Sequence, residues 1–233
     1  MKHLIETTNL SGLATVPYDR IVLDSTENDV IIRGGGYEYV DLGLPSGLKW
    51  AKCNIGAEKE TDFGDYFMWG SVTPNTADEC IWANAPFNNE ASSYNSTYFK
   101  SVKDTVCPNG ILAKEYDAAA QIMGGDWRMP TRDNFKELID NTTKQWVNNF
   151  NGSGVGGYKF ISKTDTSKYI FFPKSGQRSG SSFKNQNYNC SVWSSSLQSS
   201  RFNYALRFFF YSDELNVDKI DDRCNGNVVR GVL

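Results

Sequence analysis

The sequence predicts an α+β domain of short, mostly antiparallel strands, on three observations. Apolar and polar residues alternate over brief stretches, as in Tyr37-Glu38-Tyr39-Val40-Asp41-Leu42, which is the period of a half-buried strand. Two segments carry helix signals instead: 113–123, and the stretch that follows Pro130. The chain also holds 20 glycines among many Ser and Asn residues, so turns are frequent, and its 14% aromatic content supplies a core. Helices followed by a run of short strands give the α+β class.

Residues 1–36 form a predicted N-terminal β appendage. Ile21-Val22-Leu23 and Val30-Ile31-Ile32 are short apolar runs around a polar turn, the pattern of a hairpin, and Gly34-Gly35-Gly36 marks a linker. An extra strand pair on the main fold is the alternative. The main domain is 37–233. Its strands begin with 37–42, continue after the turn Pro45-Ser46-Gly47 with 48–51, and then 66–70. The polar stretch 72–110 is expected to be a long surface loop. Segment 113–123 has good helix formers and a stop at Gly124-Gly125. Thr131 is placed to cap the second helix, with Phe135, Leu138 and Ile139 on one face. Strands return at 157–162 and 169–173, and 192–232 reads as short strands between polar turns. The glycine-rich stretch Gly152 to Gly157 is a flexible connection, since it lacks the Lys-Ser/Thr of a phosphate-binding loop.

Composition excludes several functions. A net charge of -3 and a pI near 5.3 leave no basic excess for nucleic acid. No run of eighteen apolar residues exists, so membrane insertion is not expected. The first residues lack an apolar stretch behind Lys2 and His3, so a secretory signal is absent or has been removed, and localisation stays open. The 5 cysteines, Cys53, Cys80, Cys107, Cys190 and Cys224, are odd in number and widely spaced, the usage of reduced thiols. His3 is the only histidine and lies outside the main domain, which removes histidine-based catalysis and histidine metal sites. Asp213, Glu214, Asp218, Asp221 and Asp222 match no calcium-loop spacing and read as a solvated acidic face. No catalytic residue, metal site or cofactor is expected.

Six strings in order carry a resemblance: Val40-Asp41-Leu42-Gly43-Leu44-Pro45-Ser46-Gly47-Leu48-Lys49-Trp50-Ala51, Gly64-Asp65-Tyr66-Phe67-Met68-Trp69-Gly70, Gly125-Asp126-Trp127-Arg128-Met129-Pro130-Thr131, Phe172-Pro173-Lys174-Ser175-Gly176-Gln177-Arg178, Val192-Trp193-Ser194-Ser195-Ser196 and Val229-Arg230-Gly231-Val232. Together they resemble the Fibrobacter succinogenes major paralogous domain family of gut Bacteroidetes and their phages. The resemblance implies a C-type-lectin-like fold related in shape to formylglycine-generating enzymes. It implies Trp50, Trp69, Trp127 and Trp193 as scaffold, with Arg128 and Arg230 as fixed frame residues. The glutamate-proline-asparagine motif of calcium-dependent sugar-binding lectins is absent.

The C-terminal part also resembles the variable proteins of diversity-generating retroelements, which display varied residues on the ligand-facing surface of this scaffold. The frame is Trp193-Ser194-Ser195-Ser196, 205–212 and 223–230, and departures cluster within about 185–228. The resemblance therefore assigns Tyr188, Cys190, Val192, Arg201, Phe202, Leu206, Arg207, Phe209, Tyr211, Cys224 and Asn227 to ligand contact. Alternation along 205–211 places Leu206, Phe208 and Phe210 on a core face and Arg207, Phe209 and Tyr211 opposite. Burying both faces would bury Arg207 unpaired, so Phe209 and Tyr211 are expected to be exposed beside it. A strand sandwiched under a covering loop is the alternative.

The function implied is a ligand-binding, receptor-binding variable protein encoded by a phage or mobile element. Its ligand would be a host or bacterial surface protein or glycan, and the N-terminal segment could attach it to a virion or larger assembly. The competing reading is a bacterial surface adhesin or structural module without diversification. An oxidase akin to formylglycine-generating enzymes would need Cys190 and Cys224 side by side.

Overall fold

The computed structural model describes residues 36–76 and 78–233. The expected 21–32 hairpin lies outside the described residues. The rest is a mixed α+β arrangement of three α-helices and mostly antiparallel sheets.

Strand β1 (Tyr39–Asp41) pairs antiparallel with β2 (Lys49–Ala51), Tyr39 opposite Ala51. The turn between them closes with the Gly47 amide donating to the Leu44 carbonyl at 2.9 Å, at a φ of +76° that glycine tolerates. The far edge of β2 receives the C-terminus: the Lys49 amide donates to the Leu233 carbonyl and the Ala51 amide to that of Gly231, each at 2.9 Å. Both ends of the domain therefore meet on β2. Strand β3 (Tyr66–Phe67) follows.

The stretch expected to be one long loop contains α1 (Ser96–Val106). Its helical signal is Phe99, Val102 and Val106, all packed into the core; Ser, Thr and Val, poor helix formers, dilute it. The Asn95 side chain caps it by accepting from the Tyr98 amide. The single helix expected over 113–123 is instead a 3-10 turn at Lys114–Tyr116 and then α2 (Ala118–Met123). Asp117 divides them, because its carboxylate accepts from the Ala120 and Met129 amides. The stop at Gly124 stands, with φ +72°. Helix α3 (Arg132–Asn141) starts where Thr131 predicts: its hydroxyl accepts from the Asn134 amide, and the Asn134 side chain accepts from the Thr131 amide.

Strands β4 (Thr142–Val147), β5 (Gly157–Ser162) and β6 (Tyr169–Pro173) form a three-stranded antiparallel sheet. A small hairpin, β7 (Gln177–Ser179) and β8 (Ser182–Lys184), leads to the central sheet. That sheet adds β9 (Cys190–Leu197), β10 (Tyr204–Phe210), β11 (Leu215–Asp222) and β12 (Asn227–Val228) in the order β11-β10-β9-β12-β3. Its one parallel pairing is β12 with β9.

Two apolar clusters fill the interior. One gathers Trp69, Phe99, Trp127 and Trp193 under α1 and α2. The other joins α3, the three-stranded sheet and β10 through Trp50, Phe135, Phe160, Phe172, Phe208 and Phe210. Arg230 is fully buried and caps backbone: Nη1 donates to the carbonyls of Ala51 and Lys52, Nη2 to that of Phe171, and Nε to Asn54 Oδ1. Burial without a carboxylate partner pushes its pKa down to about 10. Arg223 is buried likewise, with its guanidinium 3.9 Å from the Phe99 ring centroid. Among the described residues no helix is long and apolar enough to cross a membrane.

Candidate functional site

The eleven candidate residues divide by burial. Tyr188 is 67% exposed and Arg201 is exposed over the Tyr204 ring. Phe202, Leu206 and Tyr211 are half-buried. Cys190, Val192, Arg207, Phe209, Cys224 and Asn227 are buried, and for these the expectation of a ligand-facing surface position is corrected. Cys190 and Val192 point into the cluster with Phe208 and Phe210. Cys224 packs with Met68, Cys80 and Ala85. Cys190 and Cys224 thus occupy different apolar clusters, and the five cysteines are free thiols. Burial raises the Cys190 thiol to about 11 and that of Cys224 to about 12, far from a reactive thiolate.

The sandwiched-strand alternative describes β10 better than the exposed one. Phe208 and Phe210 face the core as alternation requires, and Arg207 and Phe209 face the other way but are covered, being 8% and 3% exposed. Leu206 is half-buried, where the pairing with β9 shifts register between Ala205 and Arg207 through extra residues in β9. Buried Arg207 does not stand unpaired, because Asp221 lies beside it. Registers Ala205 to Asp221 and Arg207 to Lys219 make Arg207 and Asp221 diagonal neighbours on one sheet face. Arg207 Nη1 donates to Asp221 Oδ2 at 3.0 Å, to Ser191 Oγ at 2.7 Å and to Gln177 Oε1 of the overlying hairpin.

Asp221 anchors a wider polar cluster. Its Oδ2 also accepts from Asn227 Nδ2 at 3.0 Å, and its Oδ1 from Asn225 Nδ2 and the Asp222 amide. The acidic run is therefore not one solvated face: Asp221 is buried, and Asp218 forms a two-pronged pair with Arg132 on α3 at 2.7 and 3.0 Å. Among the described residues no three His, Cys, Asp or Glu side chains are grouped to hold a metal ion.

From this cluster a run of aromatic rings leads outward. The Arg207 guanidinium lies 4.9 Å from the Phe209 ring centroid, and Lys219 Nζ lies 5.2 Å from the same ring. Phe209 meets Tyr211 edge to face at 4.9 Å, and Tyr211 meets Tyr188 at 5.6 Å. An exposed aromatic is thus held in place by two rings and a buried ion pair. On the β7–β8 hairpin, Phe183 is 47% exposed and stacked by Arg178 at 4.2 Å. The sequence reading missed Gln177, Phe183, Ser191 and Lys219. Lys219 and Asp221 have no period-two signal: the register of β11 against β10 shifts between Arg207 and Phe209, so they lie on the face opposite Leu215 and Val217.

Two concavities lie elsewhere. A cavity of about 320 Å³ is bordered by Asp117, Trp127, Arg128 and Met129, but Asp117 is committed to capping α2 and to the Met129 amide. An open polar groove of about 840 Å³ runs past Ser71, Asn75, Glu79 and Asn84. There Asn75 accepts from the Met68 amide and Glu79 from that of Thr76. A scan against protein-family models, a search of curated proteins and a search of solved structures each return no match for this chain.

Proposed function

We propose that this protein is a ligand-binding module, not an enzyme, with a C-type-lectin-like scaffold that presents the surface around Tyr188 and Tyr211, beside the covered strand β10, to a host or bacterial surface protein or glycan. The observation that carries this reading is the run Tyr188–Tyr211–Phe209–Arg207, an exposed aromatic preorganised on a buried, hydrogen-bonded charge pair. Aromatics and arginine of this kind dominate binding energy where a fixed scaffold spares the entropy of ordering them. The lectin-like identity and the retroelement origin rest on the frame strings from Val40 to Val232. The contact set narrows to Tyr188, Arg201, Leu206 and Tyr211 with Phe183 of the β7–β8 hairpin. Cys190, Val192, Cys224 and Asn227 become scaffold.

Replacing Tyr188 and Tyr211 together with serine tests the surface. A ligand captured by screening host surface proteins and glycans is expected to lose affinity at least about 100-fold, since two aromatic anchors of this type are worth about 2 kcal/mol or more each. Unchanged affinity would place the binding surface elsewhere. The retroelement origin has its own test in the gene's surroundings: a reverse transcriptase and a near-duplicate of the sequence encoding 185–228 are expected nearby, and the lack of both would reject it.

A further inference from the structure

The β7–β8 hairpin ends in an open strand edge. On β7, the Arg178 amide donates to the Gly226 carbonyl at 2.7 Å, and the Arg178 carbonyl accepts from the Gly226 amide at 2.8 Å. Hydrogen-bonded and non-bonded pairs alternate along an antiparallel ladder. With its backbone spent on Gly226, Arg178 forms a non-bonded pair with Phe183 of β8. The N–H and C=O of Phe183 therefore point away from β7, to a side where no described strand pairs. Ser182, Phe183 and Lys184 are all exposed, so a ligand can reach that edge.

A cation is held over the same edge. The Arg178 guanidinium sits 4.2 Å from the Phe183 ring centroid and 5.9 Å from that of Tyr66, and the two rings meet edge to face at 5.2 Å. Among the described residues the Arg178 side chain makes no hydrogen bond and no ion pair. Its Nε is buried, whereas the Nη groups of this half-buried residue stay at the surface. Glu79, on the loop bridged to the hairpin through Cys80 and Gly180, is engaged by the Thr76 amide. The wider charge pattern agrees. Residues 166–212 contain Lys168, Lys174, Arg178, Lys184, Arg201 and Arg207 but no Asp or Glu, in a chain of net charge -3. Among the described residues only Lys168 and Arg207 of these have a carboxylate partner.

We propose, resting on the binding reading above, that the open edge of β8 takes an extended, acidic segment of a protein ligand as an added strand. The ligand residue opposite Phe183 exchanges both backbone bonds with it and points its side chain to the same face. That residue is a glutamate, whose carboxylate meets the Nη groups of Arg178. Its backbone lies two strand spacings, about 10 Å, from that of Arg178, a gap that an arginine and a glutamate side chain close together. The edge selects a polypeptide, because a glycan or a nucleic acid has no amide and carbonyl at ladder spacing. The cations of 166–212 favour an acidic partner over a basic one.

The test follows the Phe183 amide by NMR in the ¹⁵N-labelled full chain. The probes are acetyl-Val-Glu-Val-Glu-Val-amide, the same peptide with Gln for both Glu, the Glu peptide N-methylated at both Glu, and an oligothymidylate. Saturable movement of the Phe183 signal by the Glu peptide is expected. Binding should be at least about tenfold weaker for the Gln peptide, which lacks the charge, and for the methylated one, which lacks the strand bond. No movement by the Glu peptide, equal binding of the Gln or the methylated peptide, or equal binding of the oligothymidylate would overturn the proposal. Arg178→Gln should bind the Glu and Gln peptides alike, and a retained preference for Glu would also overturn it. The comparison of probes needs no altered protein, so it decides the matter even if Arg178→Gln folds poorly. If the peptides discriminate but Tyr188→Ser with Tyr211→Ser leaves a captured ligand's affinity intact, the strand edge stands and the tyrosine surface falls. If captured ligands depend on the tyrosines while the peptides do not discriminate, only the strand edge falls.

Discussion

Arg207 and Asp221 show how one side chain changes the reading of a whole face. With both side chains about nine-tenths buried, removing either partner strands a charge in a low-dielectric setting. Asp221→Ala is therefore expected to lower unfolding free energy by about 3–5 kcal/mol, read from urea denaturation midpoints. Replacing Arg207 and Asp221 together with leucine should restore most of that loss. A cost below about 1 kcal/mol for Asp221→Ala would mean that the pair is wet and mobile. Tyr188→Ser, at an exposed position, should stay within about 0.5 kcal/mol. The sequence displays both charges and the alternation of β10, but not their partnership. That depends on the register between β10 and β11, which the hydrophobic pattern of a polar strand does not specify.

At the scale of elements, legibility follows the strength of local chemistry. Strands β5 and β6 fall where apolar β-formers predict them, and α3 begins at its Thr131 cap. Thr131→Ala should cost about 1 kcal/mol by loss of the reciprocal cap, while Thr131→Ser should be nearly neutral; thermal melts of the two variants decide it. Equal losses would show that the methyl contact matters and the cap does not. Helix α1 escapes a local reading because its residues are weak helix formers. Phe99 is fully buried beside Arg223 and Tyr94, so tertiary packing decides its state. The division of 113–123 was hidden for a related reason: Asp117 acts through Met129, which lies beyond its own helix.

At the scale of the molecule, the same burial that removes the cysteines from chemistry makes them sensitive to alkali. Burial raises the thiols of Cys80, Cys107 and Cys190 to about 11, that of Cys224 to about 12, and the Tyr66 phenol to about 12. A folded pKa raised above the unfolded value contributes stability fully present below the unfolded pKa and lost as pH climbs through the folded one. The denaturation midpoint should therefore hold steady up to about pH 8.5 and fall across about pH 9–12. Constancy through pH 11 would mean that these groups are wetter than their burial indicates. The frame strings, the tryptophan core and the α+β class are properties of the whole that the sequence carries openly. The placement of binding residues is not, because the partners that bury Arg207, namely Asp221, Ser191 and Gln177, come from three other strands distant in sequence. The most direct test of that placement is hydrogen–deuterium exchange of the protein with and without a captured ligand. Protection is expected in 177–190 and 204–222, the hairpin and the β10–β11 pair. Protection confined to the groove at 71–90 or to the cavity around Trp127, with 177–190 unchanged, would contradict the account.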